Sequence, residues 1–65
     1  MQMSINGSAR DIHSRDVAAL LLELGLDQSR VAVELNRAII AQSAFSKTPL
    51  APGDIIEIVQ FVGGG

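Results

Sequence analysis

Few residues of this chain could do chemistry of their own. There is no cysteine, so a thiolate nucleophile, a disulfide and a sulfur-ligated metal site are all ruled out. The one imidazole, His13, stands just ahead of a helical pattern with Asp11 and Asp16 near it in sequence, and it reads as a solvated loop histidine. The two aspartates flank a helix start, where carboxylates cap free N–H groups or favour the helix dipole, so they read as structural. Arg10, Arg15, Arg30, Arg37 and Lys47 are scattered and read as surface charge. No His/Cys group has ligand spacing, and no metal is expected. What remains is the end of the sequence, where Phe61-Val62 pass at once into Gly63-Gly64-Gly65. Three glycines pack nothing and cost conformational entropy; what they offer is a slender segment able to enter a narrow channel and lay its backbone against an active site. The carboxylate of Gly65 is then the group delivered, the alternative being a plain flexible tail.

A handle of that kind needs a scaffold, and the rest of the chain supplies the pattern of one. Met1 to Ile5 alternates apolar and polar residues with a period of two, as a half-buried strand does. Asn6-Gly7 suits the positive φ angles of a tight hairpin turn, which returns Ser8 to Ile12 antiparallel to it. Val17, Leu20, Leu21 and Leu24 recur at i, i+3, i+4 and i+7 and form one stripe of a short amphipathic helix. Asp16 or Ser14 can cap its start and Gly25 can end it. About two turns are unstable alone, so the Leu stripe must lie on a sheet. Val31 to Leu35 and Ala38 to Ile40 read as two short strands around Asn36-Arg37. Gln42 to Leu50 reads as irregular, Pro52-Gly53-Asp54 as a turn, and Ile55 to Val62 as a long final strand. In that strand Ile56 and Ile58 share one face, while Ile55, Val59 and Phe61 share the other.

Size and composition bound the answer further. Sixty-five residues make one domain that buries only about 60% of its unfolded surface, so stability is marginal. Hydrophobic residues at 48% against 18% charged are enough for collapse, and with Phe45 and Phe61 the only aromatics the core must be aliphatic. A net charge of -2 and the absence of a basic cluster argue against a nucleic-acid partner. The longest apolar run, Val17 to Leu22, is too short to span a bilayer, and Met1 to Arg10 lacks the pattern of an export signal; no membrane association is expected and the cytoplasm is the default location.

The order ββαβββ, one helix over one face of a mixed sheet of about five strands, is an α+β architecture that fits the ubiquitin-like β-grasp, with the first and last strands parallel neighbours at the centre. The expected organisation is a β-grasp domain over 1–62 and a flexible glycine tail over 63–65. Gly53-Asp54-Ile55-Ile56-Glu57-Ile58-Val59-Gln60-Phe61-Val62-Gly63-Gly64-Gly65 resembles the C-terminal signature of the ThiS family, the sulfur carriers of thiamine biosynthesis. Val17-x-x-Leu20-Leu21, Val31-Ala32-Val33-Glu34-Leu35-Asn36, Thr48-Pro49-Leu50 and Asn6-Gly7 extend the resemblance over essentially the whole chain. Where the family usually has Pro-Arg and then Trp after the fourth strand, this chain has Ala41-Gln42 and Phe45, an aromatic that can still fill an apolar slot.

The resemblance implies a carrier rather than an enzyme. A ThiF-like adenylyltransferase, using ATP and Mg that this chain does not itself bind, adenylates the Gly65 carboxylate. Sulfur from a cysteine desulfurase replaces the adenylate, and the resulting thiocarboxylate serves thiazole synthase. Gly63 and Gly64 then thread the partner's active site, and the carrier is a monomer when free. Ile55, Val59, Phe61 and Val62 are the expected docking residues, because apolar side chains on an uncovered sheet face mark an interaction site; the alternative for Phe61 is that it covers a neighbouring loop. Competing readings are a carrier like the small subunit of molybdopterin synthase, a conjugated ubiquitin-like modifier, and a β-grasp interaction module whose tail is idle.

Overall fold

The structure is a computed structural model and describes residues 1–62; the expected tail, Gly63, Gly64 and Gly65, lies outside the described residues. Four-residue strands β1 (Gln2–Ile5) and β2 (Ser8–Asp11) form the first hairpin. Its turn is Asn6-Gly7 with φ of 50° and 82°, the left-handed pair that a two-residue type I′ turn requires. The helix α1 (Val17–Glu23) follows. Then come β3 (Val31–Leu35), β4 (Ala38–Ile40) and β5 (Ile55–Gln60). One mixed sheet has the order β2-β1-β5-β3-β4, with β1 and β5 parallel and the other pairings antiparallel. This is the β-grasp arrangement expected from the pattern.

Period-two alternation places Met3, Ile5, Val31, Val33, Ile56 and Ile58 under the helix, where they meet Val17, Leu20 and Leu21 in a core with no buried polar or charged residue among those described. Each fully buried Leu or Ile contributes roughly 1.5–3 kcal/mol relative to exposure. Asp16, rather than Ser14, caps α1: its carboxylate accepts the Ala19 N–H at 2.8 Å. Leu24 closes the helix and Gly25 turns the chain away with φ 74°.

Three features depart from the sequence expectation. Gln42 to Leu50 is not irregular throughout, since Gln42–Lys47 forms a 3-10 helix. Phe45 anchors it, 1% exposed in the core, and the Thr48 hydroxyl donates to the Ala44 carbonyl at 2.7 Å. Proline at 49 holds Thr48 extended and ends the turn there. A second short 3-10 helix, Gln28–Arg30, is capped by Asp27, whose carboxylate accepts the Ser29 N–H. The final strand stops at Gln60 rather than Val62, because its partner β3 begins at Val31, opposite Gln60. Phe61 still donates its N–H to the Arg30 carbonyl at 2.8 Å. Among the described residues no helix is long and apolar enough to cross a membrane.

Candidate functional site

Among the described residues the expected docking positions lie on or just beyond β5, and three polar devices fix that strand. The first is the turn before it. Ala51 to Asp54 closes with an Asp54 N–H to Ala51 carbonyl bond of 3.2 Å, and Gly53 takes φ 85°, the positive angle that a type II turn with Pro52 before it demands. The Asp54 carboxylate also accepts the Ala51 N–H at 2.7 Å.

The second device is Asn36, in the turn between β3 and β4. Asn36 and Arg37 both have positive φ, 50° and 71°. The Asn36 side-chain carbonyl accepts the Ile55 N–H at 2.9 Å, and its amide donates to Asp54 at 3.0 Å. The strand is thereby gripped at its first residue.

Asn6 is the third. The β1–β5 ladder pairs only Ser4 with Ile55 and Ile5 with Ile56 before β1 turns away. The Asn6 side chain continues it: its carbonyl accepts the Ile58 N–H at 2.7 Å and its amide donates to the Ile58 carbonyl at 3.1 Å. A carboxamide has the donor and acceptor of a peptide group, so it stands in for one more strand residue. Sequence reading assigned Asn6 to a turn and placed Asn36 between two strands, and it missed these grips, which depend on a register that no local pattern carries.

From the gripped strand the chain leaves the sheet at Phe61, 54% exposed, and Val62, 93% exposed. The other proposed docking residues, Ile55 and Val59, sit on the sheet face opposite α1, each more than half exposed. The structure brings Ile55 and Val59 onto one face of β5 and adds Ile39 of β4, 82% exposed. Ile39 lies opposite Glu34 in the β3–β4 ladder, and sequence reading had placed it only in a strand. Phe61 and Val62 lie beyond the strand end. In the same face Glu34 of β3 stands opposite Glu57 of β5. An open depression of about 520 Å³ runs beside them, lined by Glu34, Asn36, Arg37, Ile55 and Glu57.

Of the remaining candidates, Asp16 caps α1 and Asp11 accepts from the N-terminal ammonium. His13 is exposed, and its backbone N–H, together with the backbone N–H and hydroxyl of Ser14, donates to the Glu23 carboxylate. The Ser14 hydroxyl above all, and then the two N–H groups, hold Glu23 below the usual carboxylate range against a smaller opposing effect of desolvation. Ser14 thus ties the loop to the end of α1. Among the described residues no group of three His, Asp or Glu side chains is placed to hold a metal ion. Gln42 donates its amide to the Gln28 carbonyl at 3.0 Å and links the two 3-10 helices.

Comparison with known proteins agrees with this geometry. The chain is 46% identical over 66 residues to a thiazole synthase of Paramagnetospirillum magneticum, an alignment that takes in 100% of this chain and 20% of that protein; the chain thus spans only a fifth of that relative's length. It is 31% identical over 61 residues to the sulfur carrier protein ThiS of Thermus thermophilus, covering 94% of this chain and 95% of that one. A crystal structure of the thiamine biosynthesis protein ThiS from Geobacter metallireducens superposes with a TM-score of 0.84 at 33% identity, over 100% of both chains. The ThiS family model matches residues 3–65. On the family match, the identity and coverage of the T. thermophilus carrier and the superposition together, the chain belongs to the ThiS family.

Proposed function

We propose that this chain carries sulfur for thiazole formation as an acyl group at Gly65, and that it is a co-substrate of other enzymes rather than a catalyst. The observation that carries the reading is the run of the final strand: β5 is gripped at Ile55 and Ile58, then leaves the sheet toward the glycines through the exposed Val62. Such a scaffold fixes the strand that leads to Phe61, and the glycines that follow in the sequence carry no side chain to obstruct a channel.

The chemistry follows from the weakness of a carboxylate as an electrophile. A ThiF-like adenylyltransferase, supplying ATP and Mg, joins the Gly65 carboxylate oxygen to the α-phosphorus of ATP and releases pyrophosphate. The terminal sulfur of a persulfide formed by a cysteine desulfurase then attacks the acyl carbon and AMP leaves; a thiol cleaves the S–S bond of the resulting acyl disulfide, becoming oxidised to a disulfide, and frees the thiocarboxylate that thiazole synthase consumes. Gly63 and Gly64 lie in the activating channel, while Ile55, Val59, Phe61 and Val62 make the apolar contact with the partner. The resemblance to a thiazole synthase of P. magneticum supports that enzyme as the final acceptor. The scheme requires a free α-carboxylate at Gly65.

Intact-mass measurement after incubation with ATP, Mg, the ThiF-like enzyme and a sulfur source tests it. The expected change is replacement of one oxygen by sulfur, absent in a chain lacking Gly65. An unchanged mass with demonstrably active partners overturns the proposal, as does full thiazole formation with Gly65 removed.

A further inference from the structure

The open face of the sheet carries a feature that folding alone does not explain. Glu34 and Glu57 stand directly opposite one another in the antiparallel β3–β5 ladder, where facing side chains have Cβ atoms about 4.5–5.5 Å apart and like charges repel. Apolar side chains frame the pair. Ile39 is across the sheet from Glu34, and Ile55 and Val59 flank Glu57 along its own strand. Neither carboxylate takes part in an ion pair among the described residues, although Arg37 lines the same depression. Two negative charges are therefore held side by side within an exposed apolar surface.

A surface of this composition is complementary to one kind of contact: a guanidinium that meets both carboxylates at once, framed by apolar side chains that cover Ile39, Ile55 and Val59. Its planar fork of N–H donors matches two adjacent carboxylates better than an ammonium does. We propose that the Glu34–Glu57 pair is the anchor by which the carrier's partner is recognised, and that thiazole synthase seats an arginine on it. This rests on the docking face of the preceding section and adds the charge that specifies the partner.

The test is calorimetric titration of the 65-residue chain with thiazole synthase from the same source, for the parent, Glu34→Gln, Glu57→Gln, the double variant and Val59→Ser. Either Gln variant is expected to raise Kd about tenfold, and the double variant to add little to that and to flatten the dependence of Kd on salt. The urea midpoint of the free double variant should equal or exceed that of the parent, because a repulsion is removed; a merely structural role would lower it. If Val59→Ser weakens binding while the Gln variants leave Kd and its salt dependence unchanged, the anchor is refuted and the docking face stands. If the parent does not bind, or Val59→Ser binds as well as the parent, the docking face fails and the anchor fails with it. Self-association of the chain that Glu34→Gln abolishes would assign the face to a second copy and overturn the proposal.

Discussion

Replacing Asn6 with glycine separates the grip on β5 from the turn that Asn6 also builds. Glycine accepts φ 50° without strain, so the hairpin keeps its geometry while the two bonds to Ile58 are lost. Each such bond contributes about 1 kcal/mol net, and the added freedom of glycine in the unfolded chain costs a further 0.4–1 kcal/mol or about that. Water reaches the exposed side of this part-buried site and offsets some of the loss, which leaves an expected destabilisation of about 2 kcal/mol. A domain of 65 residues has only roughly 3–10 kcal/mol in all. Urea unfolding followed by circular dichroism should show a lower midpoint at unchanged slope. Hydrogen exchange should show the Ile58 amide losing protection more than the amides of β3. A loss below about 0.5 kcal/mol, with Ile58 still protected, would refute the view that a side chain extends the β1–β5 ladder.

Removing the helix cap with Asp16→Ala should cost about 1 kcal/mol, read from thermal unfolding. Phe45→Ala should cost about 3–5 kcal/mol, enough to leave much of the population unfolded at growth temperature, as far-UV circular dichroism will show. Glu23 has a folded-state pKa below its ordinary 4.5, so its contribution to stability is complete above that value and is lost as pH falls through the folded-state pKa. Glu23→Gln or Ser14→Ala should flatten this acid limb in urea unfolding profiles, and an unaltered profile would show that the loop-to-helix tie has no energetic weight.

Much of the scaffold is legible in the sequence because it depends on neighbours along the chain. Asn6-Gly7, the Val17/Leu20/Leu21/Leu24 stripe and the alternation of Ile55 to Val59 all act through local geometry, and each falls where the pattern puts it. The limits of β5 are not local. Val62 is as β-prone as Val59, yet the strand stops at Gln60 because β3 begins at Val31. The same holds for Gln42–Lys47, whose 3-10 turns are held by burial of Phe45 under the helix rather than by any strong helical signal. Of the candidate site, the apolar positions on β5 follow from alternation alone. The facing of Glu34 and Glu57, the addition of Ile39 and the grips of Asn6 and Asn36 require the register between strands, which pairs residues as far as 52 positions apart.

The place of β5 in the strand order has a consequence for biosynthesis. In β2-β1-β5-β3-β4 the two hairpins are joined within the sheet only through β5 among the described residues, so a nascent chain that has not yet released Ile55–Gln60 from the ribosome holds two halves of a sheet with no strand between them. Closing that gap brings together the most distant parts of the polypeptide, the slowest kind of contact to form. Translation therefore completes the sheet only when its keystone strand emerges. Ribosome-stalled chains that expose only residues up to Pro52 should be cut readily by protease, and those that expose β5 should resist.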